Sequence, residues 1–280
     1  MNQNKPGAIL CPSCRRLVAI DESRCPHCGI WKPSGFFRNN PLTRVLEQPR
    51  TLIRSVIVLN VAMFALSLLF GPGAFRLSLN PLTLFSPDND ILLLLGATGT
   101  IPIDRFHRWW TLLSANYLHG GILHIFFNMA AFSQLAPFMI REYGPYRTLI
   151  VYTIGGVAGF AISYWAGVRF TIGASAAVCA LIGAALYYGK SRGGSYGQAV
   201  YRQVGGWALS LFVFGLIVPG INNWGHGGGM AAGALLGFLL SYQERRRENS
   251  FHVMLGLSAV LITVLVLAWA VATGVYYRFS

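Results

Sequence analysis

Four of the five cysteines lie in two short repeats, Cys11-Pro-Ser-Cys14 and Cys25-Pro-His-Cys28. Two C-x-x-C pairs, ten residues apart, have the spacing of a tetrahedral four-thiolate zinc site, in which each pair sits on a tight turn and aims two sulfurs at one point. Gly29 supplies the left-handed backbone that such a turn often uses. Two disulfides are the competing pairing. They conflict with the reducing compartment to which the charge pattern below assigns this segment. Redox chemistry at a single C-x-x-C fits a paired repeat poorly. Four thiolates leave no open coordination position, so the metal is expected to be structural. It would supply the folding free energy of a segment too small for a core of its own. His27 lies between ligands and is read as a spectator.

A second set of chemistry-bearing residues is uncharged. His119, His124 and Asn128 stand at the start of one apolar window, Ser175 at the start of another and His226 at the start of a third. A serine hydroxyl becomes nucleophilic when a neighbouring neutral imidazole takes its proton. None of the nine Asp and Glu residues lies in an apolar window, so the arrangement would be a Ser175–His226 dyad and not a triad. His124 and Asn128 are spaced i, i+4 and share a helix face. Both can donate to a developing oxyanion, as can the backbone N–H of Ser175 at a helix N-terminus. Singly, each residue has a plainer role. Ser133, Ser163 and Ser210 are expected to bond a carbonyl of their own helix, and His107 and His252 to cap helices or meet headgroups. His119 and His124, five apart on a helix, would diverge, which argues against a metal site and leaves His119 to hold the outer loop. Taken together the polar residues favour a hydrolase.

The elements that must position them are membrane helices. Hydrophobic residues make up 54% of the 280 and charged ones only 11%, against about a quarter in soluble domains. Seven apolar windows recur: Val56–Phe70, Ile122–Ile140, Leu149–Val168, Ala174–Tyr188, Val204–Val218, Gly227–Leu240 and Val253–Val275. If the N-terminus is cytoplasmic and each window crosses once, the inside segments, which are the tail to Arg54 and the loops Arg141–Arg147, Lys190–Arg202 and Glu244–Asn249, hold 17 Lys and Arg and the outside ones hold 5, as the positive-inside rule requires. The net charge of +13 then reflects contact with anionic lipid, and nucleic acid is not expected as a partner. Met1–Pro6 has no apolar core of a signal peptide, so the first span is expected to act as an uncleaved anchor. Gly71–Ser114 is expected to lie partly in the outer leaflet, with Ile91–Leu95 too short to span and Trp109 and Trp110 at the interface. Windows two, four and six all run inward, so Ser175, His226, His124 and Asn128 start at one membrane face. Gly229, Gly233 and Gly237 recur every four residues, which permits close approach to the helix carrying Ala176 and Gly183 and brings Ser175 toward His226.

These residues resemble the rhomboid intramembrane serine proteases. Trp110-Thr-Leu-Leu-Ser-Ala-Asn-Tyr-Leu-His119, with His124 and Asn128 following, is similar to the family's first-loop and second-helix motif. Gly173-Ala-Ser175 matches the start of its G-x-S-G motif, and His226 with Gly229 and Gly233 its H-x-x-G-x-x-x-G. The resemblance covers about residues 53–242. It implies an all-α polytopic membrane protein with a six-helix rhomboid-like core, Ser175 as nucleophile, His226 as base, and His124 and Asn128 as oxyanion donors. No cofactor is implied for catalysis. The substrates implied are single-span membrane proteins cut near the outer part of their helix, at small residues. The organisation expected is a zinc-ribbon-like module over 1–33 with Cys11, Cys14, Cys25 and Cys28 as ligands, a basic linker over 34–52, a membrane domain over 53–242, and a loop with a seventh helix over 243–280. The location expected is the plasma (inner) membrane, multi-pass, with the C-terminus outside; a protein partner of the zinc module is left open. Three positions depart from the family pattern: Ala176 replaces the second Gly of G-x-S-G, Cys179 replaces an aromatic that packs on the histidine, and Thr111 replaces an Arg. They raise a second reading, a pseudoprotease that binds membrane clients without cutting them. A transporter is disfavoured, because no intramembrane carboxylate appears.

Overall fold

The computed structural model describes residues 7–11, 14–28, 33–35, 46–71, 84–218 and 220–279. Gly29, most of the linker and residues 72–83 of the outer segment lie outside them. The N-terminal module is a two-stranded antiparallel sheet, β1 (Ala8–Leu10) and β2 (Leu17–Ala19), with Leu10 opposite Leu17 and Ile9 opposite Val18. Its inner face buries Val18, Cys11 and Cys25, with Ile9, Cys14 and Cys28 packed against them. The folded unit runs to Ser34, whose hydroxyl donates to the Ile20 carbonyl at 2.6 Å.

The rest is helical. The long helices are α1 (Pro49–Leu69), α4 (Ile122–Tyr143), α5 (Pro145–Trp165), α6 (Ser175–Arg192), α7 (Gly194–Ile217), α8 (Asn223–Leu240) and α9 (Ser250–Phe279); between α1 and α4 lie the short α2 (Asn89–Leu94) and α3 (Thr111–Ser114). Each apolar window thus becomes one helix, and this is an all-α, multi-pass membrane protein. Among the described residues five helices are long and apolar enough to cross a membrane. The 18-residue α6 and α8 are not among them, because glycine and alanine replace large aliphatic residues along their packed faces. Protein, not lipid, covers α6, whereas α8 turns its glycine face to α6 and leaves Leu235, Phe238 and Leu239 exposed on the other side.

Glycines set the corners. Gly144, at φ +94, ends α4 and is followed at once by Pro145, the first residue of α5. Gly193 and Gly194, at φ +66 and +64, join α6 to α7 in the same way. The segment Lys190–Arg202, expected as a loop, is therefore two helix ends meeting at a glycine hinge. Arg147, also expected in a loop, lies in the first turn of α5 and is fully buried. Its guanidinium donates to the Tyr143 and Arg246 carbonyls at 3.3 and 2.7 Å.

Helix α6 is the centre of the bundle, and residues 176–182 along it are at most 3% exposed. It packs on α8, α5 and α7. A Cβ on Gly229 would strike the Ala176 carbonyl, one on Gly233 the Ala180 carbonyl, and one on Gly237 would stand 3.2 Å from the Ala184 Cα. In return Gly183 meets the Met230 backbone. Small residues at four-residue spacing thus let α6 and α8 touch backbone to backbone. Helix α7 buries Gly197, Val200 and Val204 in its first half, and its second half keeps a lighter hold through Trp207, Ala208 and Leu211 and the Gly215 carbonyl, which accepts from Asn223 Nδ2 at 2.9 Å. Its outer half presents Leu209, Phe212, Val213, Phe214, Leu216 and Ile217 away from the bundle, as a lipid-facing surface does. Helix α9 packs on α5 and on the short helices α2 and α3.

Candidate active site and metal centre

Ser175 is the first residue of α6 and is only half-buried, whereas Ala174 before it and Ala176 after it are completely buried. The strand-like segment leading into it is tied down along its length. Thr171 pairs with Thr98, with the Thr98 N–H donating at 3.1 Å and the Thr171 N–H at 2.8 Å, and the Gly173 N–H donates to the Ala115 carbonyl at 2.8 Å. Gly173 has φ +124, a conformation open to glycine and rarely to other residues. A Cβ there would stand 2.7 Å from His124 Nε2 and 3.6 Å from Ser175 Oγ. The missing side chain therefore leaves a small space that His124 and Ser175 both border.

The tautomer of His124 follows from its other nitrogen. Nδ1 accepts from the Gly120 N–H at 3.2 Å, so the ring proton of the neutral imidazole resides on Nε2. That N–H points at the space beside Gly173. Asn128 lies one turn further along α4, mostly buried, and donates through Nδ2 to the His124 carbonyl at 2.9 Å. One of its two amide hydrogens is committed to its own helix. His119 is not on α4, because Gly120 and Gly121 break the chain before Ile122. Its ring packs edge-on against His124 at 5.1 Å, a correction to the divergence expected for a continuous helix. Both of its ring nitrogens are buried without a hydrogen-bond partner among the described residues. The outer segment closes over this corner: Ser86 donates to the Gly120 carbonyl at 2.6 Å, and the Ile122 N–H to the Leu84 carbonyl at 3.1 Å.

His226 lies in the first turn of α8 and is 9% exposed, with Nδ1 buried and without a hydrogen-bond partner among the described residues. Among the described residues no hydrogen bond joins it to Ser175. Its helix is held by a residue that was not singled out in the sequence, Asn222. The Asn222 Oδ1 caps α8 by accepting from the Gly225 N–H at 2.9 Å. Its Nδ2 donates to Ser163 of α5 at 2.8 Å and to Thr171 of the nucleophile segment at 2.9 Å. One amide thus ties three elements together around the candidate pair. The signal was present as an Asn just before a Gly-rich helix start, the pattern of an N-cap.

A family profile described as Rhomboid domain matches residues 107–243. The chain carries a rhomboid domain. It is 32% identical over 210 residues to RHOMBOID-like protein 4 of Arabidopsis thaliana, covering 68% of this chain and 52% of that one. It is 31% identical over 158 residues to Rhomboid protease GluP of Bacillus subtilis (strain 168), covering 56% of this chain and 30% of that one. It is also 26% identical over 175 residues to Inactive RHOMBOID-like protein 8 of Arabidopsis thaliana, covering 56% of this chain and 48% of that one. The chain spans about half the length, or less, of these three curated relatives.

The three departures from the rhomboid pattern each have a local account. Thr111 is fully buried at the start of α3, and its hydroxyl bonds the Arg108 carbonyl at 2.6 Å and Thr98 Oγ1 at 3.1 Å. A long cation has no room there, and Arg108 instead reaches across the loop to the Leu93 carbonyl at 3.1 Å. Ala176 turns its methyl into a cluster with Ala115 and Phe160, and a Cβ on Gly159 would lie 3.2 Å from it. Cys179 is buried on the α6 face that meets α8, with its Cβ 3.4 Å from where a Gly229 Cβ would stand.

The four cysteines of the module also converge. Their Sγ atoms all lie within 4.8 Å of one another, with Cys11–Cys28 at 3.6 Å and Cys14–Cys25 at 3.7 Å. No disulfide joins them. Sulfurs at about 2.3 Å from a tetrahedral zinc ion are separated by about 3.8 Å, so this donor set fits a four-thiolate zinc centre. The left-handed residue of the first knuckle is Arg15, at φ +58.

Proposed function

We propose that this chain is an intramembrane serine endopeptidase that cuts single-span membrane proteins near the outer end of their helix. What carries the reading is the convergence of a half-exposed Ser175, a fixed His124 Nε2–H and the bare Gly173 backbone on one space, with His226 on the helix packed directly against α6. His226 takes the proton of Ser175 Oγ as the oxygen attacks a peptide carbonyl. The oxyanion accepts from His124 Nε2, the Ser175 N–H and the free hydrogen of the Asn128 amide. His226 passes the proton to the leaving amine, and water, activated by the same imidazole, hydrolyses the acyl-serine. Bare glycine backbone at Gly173 suits a substrate with small residues at the cut. The chain is placed in the plasma (inner) membrane with its N-terminus in the cytoplasm and C-terminus outside. Cys11, Cys14, Cys25 and Cys28 hold a structural zinc ion, and catalysis needs no cofactor.

The test is labelling by a fluorophosphonate probe and cleavage of a single-span substrate in proteoliposomes. Wild type is expected to label and cut, while Ser175→Ala and His226→Ala do neither. A second reading draws on the lack of a Ser175–His226 hydrogen bond: a pseudoprotease that retains clients. Catalytic hydrogen bonds often tighten only when substrate binds, which favours the peptidase. A wild type that binds the substrate yet neither labels nor cuts it establishes the pseudoprotease instead.

A further inference from the structure

The register of the N-terminal hairpin sends Ile9 and Val18 inward to the cysteines and leaves Leu10 and Leu17 opposite each other on the outer face, 61% and 66% exposed. Ala8 and Ala19 continue that face. Arg15 and Arg16, both exposed, stand at the end of the hairpin beside the two leucines. A small folded unit that spends two large aliphatic side chains on water next to two cations has the composition of a membrane-interface surface.

We propose that this outer hairpin face docks on anionic lipid headgroups at the membrane surface from which α1 rises, with Leu10 and Leu17 dipping between headgroups and Arg15 and Arg16 on their phosphates. The proposal rests on the four-thiolate zinc reading, since the metal holds the hairpin in shape. Three observations choose lipid over other occupants. Fourteen chain steps separate Gly35 from Pro49, a reach of at most about 50 Å, so the module stays within that distance of the bilayer side where α1 enters. Glu47 lies beside Tyr146 at the α4–α5 corner, so that side also carries Arg50, Lys190 and Arg245 beyond the Arg141–Glu142 and Arg192–Glu244 ion pairs. A surface so basic repels Arg15 and Arg16, while anionic lipid attracts both. A second copy is the poorer fit, because two leucines and two alanines fall far short of the roughly 800 Å² per partner of a stable interface.

The experiment uses the full zinc-loaded chain in nanodiscs of phosphatidylcholine alone or mixed with phosphatidylglycerol. Hydroxyl-radical footprinting reads the oxidation of Leu10 and Leu17, and zinc stoichiometry is measured on every sample. Both leucines are expected to be oxidised several-fold less in the anionic discs. The double change Arg15→Glu and Arg16→Glu, with zinc retained, is expected to abolish the difference, each arginine being worth about fivefold in partitioning. Raising the salt concentration should do the same without altering the chain. Equal oxidation in both lipids with zinc bound overturns the proposal, as does protection that appears only when a soluble protein is added. Protection in anionic discs without bound zinc would overturn the metal reading and leave the docking face standing.

Discussion

At the scale of the residue, Gly173 is the least replaceable position outside the proposed dyad. Its φ of +124 strains any side chain, and a Cβ would occupy the space in front of His124 Nε2. Gly173→Ala is expected to lower cleavage by about 100-fold or more while the bundle stays folded, which turnover in proteoliposomes and a thermal melt together check. His124→Ala removes one oxyanion donor, with an expected loss of about 100- to 1,000-fold in kcat and little change in KM. Thr111 makes a counterintuitive case. Restoring the family's arginine with Thr111→Arg buries a cation in a site that satisfies only a hydroxyl, so a clear fall in melting temperature is expected. An unchanged melting temperature would refute that account of the departure.

At the scale of the element, the candidate site is as good as the contacts that hold three helix starts together. Asn222 is the joint among them, since it caps α8 and bonds both α5 and the segment before Ser175. Asn222→Ala is expected to cost about 1 kcal/mol for the cap alone and more for the two cross-links. Asn222→Asp, which can still cap, separates the two contributions when melting and cleavage are compared. The backbone contact between α6 and α8 is similarly unforgiving. Helix α9 braces the same region from behind: Thr263 faces the buried Tyr117, and Gly274 lies against Leu94 and Leu95 of the outer segment. At the far end Arg278 donates to the carbonyl of Phe70, the C-cap of α1, at 3.0 Å.

At the scale of the whole molecule, the loop between α8 and α9 is tied to the α4–α5 corner through a titratable group. Glu248 Oε1 accepts from the Arg147 N–H at 2.8 Å, and its carboxyl fills the space left bare by Gly144. Burial pushes that carboxyl up to about 7 from an ordinary 4.5, against the opposing pull of the Arg147 N–H and guanidinium. Between those values the folded chain keeps a proton that the unfolded chain has lost. Its contribution to stability is therefore complete at low pH and falls as pH rises through the folded pKa. Relative to Glu248→Gln, which does not titrate, wild type is expected to lose melting temperature between about pH 5 and about pH 8. A constant difference would dismiss the linkage. For the metal module, chelation is expected to unfold the β1–β2 hairpin and leave the melting of the helices unchanged, as amide exchange would report.

Much of this was legible along the chain because membrane burial constrains local composition. Seven apolar windows and two C-x-x-C pairs each depend on residues close in sequence, and each appears in the structure as a helix or a converging set of sulfurs. The rhomboid motifs were legible for the same reason, since each occupies one helix start. Other features depend on residues far apart. That His119 folds back on His124, that Arg147 is buried, that Thr111 fills the place of an arginine and that Asn222 joins three elements all arise from packing across the bundle. The sequence by itself determined which residues could do chemistry and which helices carry them. The tertiary structure decided where their side chains point, because backbone contacts at glycines and hydrogen bonds such as those of Asn222 form only when the helices meet.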